Sequence, residues 1–293
     1  MGKVAANHSG TKASDNEQLG NKTPHAQRPR KNKPHTKASP TKRRTKRAKG
    51  WVPDQHGAWF MVTVPALTGV LLSPSWTAVA VLLTWWFGYF TFFAAGIWIR
   101  SRFRDTNRPP VFAYGALTAL AGIVALIADW TLIRWIPAFL PLVAIAVHEA
   151  WKRRPRSLLS GVSTVIAACL MTPVVASASS GGFGHHAAWV AFAVYVAFFV
   201  GTVPYVKTLI RERGHRNWLI GSVTYHVGVL IASIIGTAMG LVHWFAIVVA
   251  VVLVARSYLM PYTGERRNQP WRPKTVGLIE AVITVLVVAA ALL

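Results

Sequence analysis

"WTAVAVLLTWWFGYFTFFAAGIWIRSRFRDTNRPP", residues 76–110, runs through twenty-four positions without a charged side chain and then meets four arginines and an aspartate within nine positions. At 1.5 Å of rise per residue, such a run makes a helix about 36 Å long, enough to cross the hydrocarbon of a bilayer with some tilt. Arginine clustered at its end marks the boundary with water. The stretch reads as a membrane span followed by an exposed basic loop.

The same pattern recurs along the chain. Apolar runs near 55–72, 76–99, 111–128, 132–150, 157–178, 187–206, 218–237, 241–260 and 276–293 predict nine spanning helices. Arg134, Pro137 and Pro141 interrupt the start of the fourth, where proline predicts a kink. With 53% hydrophobic and 14% charged residues in 293, the chain has more apolar surface than one soluble core would hide. The expected fold is all-α, a polytopic membrane helical bundle.

Charge tests this segmentation independently. Residues 1–50 hold fourteen of the 32 Lys and Arg; of the other eighteen, seventeen follow the second, fourth, sixth and eighth spans, Arg256 being counted with the last group. Arg134 alone falls on the opposite side. The rule that basic loops stay inside predicts an N-terminus inside and a C-terminus outside. A net charge of +23 would suggest nucleic acid in a soluble protein, but its confinement to loops and tail makes a specific nucleic-acid partner unexpected.

Two domains follow. Residues 1–50 read as a disordered basic cytoplasmic tail, too poor in large apolar side chains to offset the entropy of ordering; its natural partner is the anionic head groups of the bilayer. Residues 51–293 form the transmembrane helical domain. Cys169 stands alone, so no disulfide framework is available, and its expected role is helix packing.

Ionisable groups inside spans are costly and therefore candidates for function. His226 is expected near the bilayer middle, with proton transfer, haem ligation, or a hydrogen bond to a lipid substrate as functional roles and an interhelical bond as the structural one. His56, His148, Glu149 and Glu280 are expected near the cytoplasmic surface with access to water. The loops at 99–110 and 203–217 each combine several cations with one acid, Asp105 or Glu212, an arrangement suited to a phosphate or diphosphate and also to plain positive-inside topology. No Walker loop, dinucleotide fingerprint or Cys/His metal cluster stands out.

The opening "VPDQHGAWFMVTVPALTGVL", with "RSRFRDTNRPP", "TVPYVKTLIRERG" and "KTVGLIEAVITVLVV", resembles the YwiC-like family of uncharacterised bacterial membrane proteins over residues 51–293. Gln55 to Trp59 is its most specific string. The layout is also similar, more distantly, to UbiA-type intramembrane prenyltransferases, whose acidic motifs follow helices two and six and bind diphosphate through magnesium. Asp105, Asn107, Arg108 and Pro109 echo the first motif; Lys207, Arg211, Glu212 and Gly214 echo the second. One carboxylate per loop departs from paired Asp-rich motifs, leaving Asp105 and Glu212 as weak magnesium ligands.

These readings imply a multi-pass protein of the bacterial cytoplasmic membrane with a cytoplasm-facing cavity for an isoprenoid or other lipid phosphate. Gln55, His56, Asn107, Arg108, Lys207 and Arg211 are the expected binding residues, and His56, Asp105, Glu212 and His226 the catalytic candidates if it is an enzyme, as a divergent prenyltransferase-like protein. The alternatives are a transporter or interaction protein without catalysis and, third, a haem-dependent redox protein.

Overall fold

Nine α-helices run through the described residues of the computed structural model, which are 50–293 except 54–55, 155–156, 179, 181, 184, 268 and 270, with only the backbone of 56, 57 and 273. They are α1 (His56–Leu72), α2 (Trp76–Arg100), α3 (Arg108–Ala128), α4 (Ile136–Trp151), α5 (Leu158–Ala176), α6 (His186–Ile210), α7 (Arg216–Ala238), α8 (Phe245–Arg266) and α9 (Pro273–Leu292). The expected basic tail, apart from Gly50, lies outside the described residues. Eight helices of the described residues are long and apolar enough to cross a membrane, and α1 supplies a shorter apolar ninth. Helices alone satisfy this demand locally, because within hydrocarbon every backbone N–H and C=O needs an internal partner.

The helix ends follow from residue chemistry. Ser75 and Ser157 cap α2 and α5, accepting 3.0 Å bonds from the amides of Ala78 and Ser160. Proline in the first positions of α3 and α4 costs no hydrogen bond, so α3 begins at Arg108, ahead of the expected residue 111. A short 3-10 helix, Trp130–Trp135, precedes α4 and contains Arg134, whose guanidinium bonds the Thr131 hydroxyl at 2.6 Å. Pro137 therefore falls at a helix start, where it is tolerated without breaking the helix.

The largest correction concerns α8. The sequence places Arg256 among the loop cations, but the helix runs on to Arg266 and holds Arg256 inside, 6% exposed. Glu280, expected at a water-accessible surface, is its ion-pair partner on α9. Each charge makes the other tolerable inside the bundle, which explains why the apolar run continues past an arginine.

Helix α5 is the central post. Residues such as Ala168, Cys169 and Thr172 make it small-faced and buried, so neighbouring backbones approach closely. A Cβ added at Gly69 of α1 would stand 2.7 Å from the Thr172 carbonyl oxygen. Buried hydroxyls link the same helices: Thr172 donates to the Pro65 carbonyl at 3.0 Å, and Thr68 meets the Tyr195 hydroxyl at 2.6 Å. One apolar cluster joins α5 to α1, α2 and α4 through Ala66, Leu82, Leu170 and Val175. Another joins it to α6, α8 and α9 through Cys169, Phe199, Leu253 and Val287.

Most of the described basic residues lie in or beside four connections, α2–α3, α4–α5, α6–α7 and α8–α9, Arg134 and Arg256 being the exceptions; these connections define a basic end of the bundle. The α2–α3 hairpin packs on α1, α4 and α5, whereas α7 packs on α6 and α8. The two loops that carry Asp105 and Glu212 therefore belong to different halves.

Candidate functional site

A cavity of about 590 Å³ opens toward the basic end between α1, α5, α6 and α9. Its walls are largely apolar, with Met61, Phe199, Val203 and Val276 among them, while Lys207, Arg211, Thr202 and Glu280 supply polar groups. The position follows from helix direction. Ala58, Ser157 and Val276 lie in or next to the first turns of α1, α5 and α9, so three helix N-termini surround the space that the last turn of α6 closes with two cations. Helix N-termini carry partial positive charge, so the mouth has the electrostatics of an anion site above an apolar interior.

Helix α6 extends four residues beyond the expected 206, which turns Lys207 into a helical residue facing the cavity. Its ammonium lies 4.7 Å over the Trp218 ring of α7, a contact that holds the charge while leaving it donors for a ligand. Glu212 lies just past the helix in the turn, where its amide donates to the Lys207 carbonyl at 2.8 Å.

The other sequence candidates lie elsewhere. Asp105 and Asn107 form the 3-10 helix Asp105–Asn107, with Asp105 exposed, and Arg108 is exposed with its guanidinium 4.7 Å over the Phe112 ring. None of the three lines the cavity with Lys207 and Arg211. Gln55 and the side chain of His56 lie outside the described residues; the backbone of His56 opens α1, two positions before cavity-lining Ala58. The residues around that string are anchored by aromatic packing. Tyr114 of α3 donates to the Trp51 carbonyl at 2.7 Å, and Trp59 packs edge-on against Phe90 of α2 at 5.6 Å.

Behind the cavity lies a polar nest whose centre, Arg256, was missing from the sequence-derived site. Phe198, Thr202 and Tyr205 share one face of α6 at helical spacing. The Arg256 guanidinium lies 4.3 Å over the Tyr205 ring and 5.4 Å over that of Phe198, and pairs with cavity-lining Glu280. Its Nε and Nη2 have no hydrogen-bond partner among the described residues. Tyr205 donates to the Met260 sulfur, and the His226 ring of α7 packs edge-on against Tyr205 at 6.4 Å. The signal for this nest was one charge of each sign in consecutive apolar helices.

His226 is fully buried, and its Nδ1 lies 2.7 Å from the Ser222 carbonyl. A carbonyl only accepts, so Nδ1 carries a hydrogen. Nε2 faces α6: a Cβ added at Gly201 would come within 3.0 Å of it. That close backbone approach leaves no space for a haem plane at this nitrogen. Among the described residues no group of three His, Cys, Asp or Glu is placed to hold a metal ion, and Asp105 and Glu212 stand in separate halves.

Residues 52–176 match the family model described as YwiC-like protein. The chain is 28% identical over 178 residues to an uncharacterised protein of Haemophilus influenzae, covering 60% of this chain and 74% of that one. It is 27% identical over 245 residues to the uncharacterised protein YwiC of Bacillus subtilis, covering 80% of this chain and 93% of the relative. No solved structure matches. Over residues 52–176, the whole of α1 to α5, the chain is therefore similar to the YwiC-like proteins.

Proposed function

We propose that the protein binds an amphipathic anion, an isoprenoid or other lipid phosphate, in this cavity from the cytoplasmic face of a bacterial cytoplasmic membrane. One observation carries the reading: Lys207 and Arg211 line a space whose other walls are mainly apolar. A phosphate accepts charge-assisted bonds from both cations, and its chain takes the apolar wall. The orientation rests on the basic loops. The reading leaves Asp105 without a part, because its loop does not line the cavity.

The test is saturable binding of farnesyl phosphate to the detergent-purified chain. The double variant Lys207→Gln/Arg211→Gln should weaken it by about tenfold or more, the loss of at least one charge-assisted bond. Arg108→Gln should bind like wild type. An Arg108 dependence equal to that of Arg211 would replace the cavity reading with one in which the two loops act together.

A second reading, a transporter without catalysis, draws support from the Arg256–Glu280 pair, since ionisable residues inside a membrane bundle mark ion pathways. Solute or proton flux in vesicles that Glu280→Gln abolishes, with farnesyl phosphate binding absent, would favour it.

A further inference from the structure

A second cavity, of about 340 Å³, lies toward the opposite end between α6, α7, α8 and α9. Its walls are almost wholly aliphatic or aromatic, and its bounds run from His186 at the start of α6 to Phe198. Phe198 also lines the first cavity, which continues along α6 to Arg211. The helix thus has one cavity over its first twelve residues of rise and another over the next thirteen, about 18 and 20 Å. On α9 the linings adjoin in the same way: Thr284 belongs to the first cavity and Val287 to the second, about 4.5 Å apart in rise.

We propose that the second cavity receives the far end of a long hydrocarbon chain whose phosphate is held by Lys207 and Arg211, with the Phe198 ring as the partition that the chain passes. The inference rests on the lipid-phosphate reading and adds a substrate class to it: long-chain phosphates in preference to short ones. Charge selects this occupant. The first cavity holds Lys207 and Arg211, whereas the second has no Lys or Arg among its lining residues, so the head group stays at the basic end and only hydrocarbon gains by reaching the other. Continuity of the two linings supplies the route. The Arg256 guanidinium, 5.4 Å over the Phe198 ring, backs the partition and lines neither cavity.

Ala193 and Ala232 line the second cavity and are exposed rather than buried, so a larger side chain at either site does not displace the core. The experiment measures competition by butyl, dodecyl and octadecyl phosphate against a fluorescent alkyl phosphate, for the wild-type chain and for Ala193→Trp and Ala232→Trp. In wild type, affinity should rise with chain length, up to roughly fourfold for each further methylene taken from water. Both tryptophan variants should bind butyl phosphate as wild type does and lose most of the gain from dodecyl to octadecyl, the step in which the tail passes Phe198. Full retention of that gain in both variants would overturn the chain site while leaving the head-group site intact. Failure of every alkyl phosphate to compete through Lys207 and Arg211 would instead remove the head-group reading on which the inference stands.

Discussion

Replacing Glu280 by Gln removes one charge from a pair whose side chains are only 13% and 5% exposed, leaving the Arg256 cation inside the bundle. Breaking a buried pair by deleting one partner costs about 3–5 kcal/mol. Glutamine keeps one neutral acceptor for the guanidinium, about 1 kcal/mol of net bonding, so we expect a loss of about 2–4 kcal/mol. The Tyr205 and Phe198 faces stay on Arg256 in both proteins and leave that difference unchanged. The assay is SDS titration of the detergent-purified chain, followed by tryptophan fluorescence. The double variant Arg256→Met/Glu280→Leu, which removes both charges and keeps similar volume, should fall within about 1 kcal/mol of wild type or exceed it. A Glu280→Gln midpoint equivalent to less than about 0.5 kcal/mol would mean that the pair is screened as a surface pair is. A double variant as unstable as the single one would show that packing rather than uncompensated charge sets the loss.

Gly69→Ala should destabilise by about 1–3 kcal/mol, because its Cβ would sit 2.7 Å from a backbone oxygen of α5 that cannot turn aside; the same titration measures it. Gly201→Ala should cost a similar amount through Tyr225 and His226, while Gly221→Ala, which meets nothing within 4 Å, should be neutral or stabilising. Thr68→Val leaves the Tyr195 hydroxyl buried without this partner and should lose about 1–3 kcal/mol; adding Tyr195→Phe should recover most of it, as a double-mutant cycle will report.

The span count was legible because bilayer thickness sets helix length and the apolar runs are long. The ends were legible where Ser or Pro marks them, as at Ser75 and Ser157. The end of α8 was not: Arg256 looks like the start of a basic loop, and only packing against Glu280, twenty-four positions later, reveals that it is inside. The candidate cavity was visible in the sequence only through its two cations. Lys207 and Arg211 attracted attention as loop cations, and the cavity they line arises from α1, α5 and α9, whose residues come together only in the fold. Asp105, Asn107 and Arg108 carry the same kind of local signal in the other half of the bundle, so composition could not separate the two loops. His226 was recognised as deeply placed from its distance along α7, but its approach to Gly201 depends on how α6 and α7 cross.

The Arg256–Glu280 pair also constrains how the chain is made. Helix α8 leaves the ribosome before α9, so during synthesis its arginine reaches the translocation machinery without its acid. An isolated cation at a helix centre carries an insertion cost of about 2.5–3.5 kcal/mol, which Glu280 reduces only once α9 is beside it. The last two helices are thereby suited to enter the bilayer together as a hairpin, and a nascent chain released before Pro273 should hold α8 less firmly in the membrane than the finished protein does.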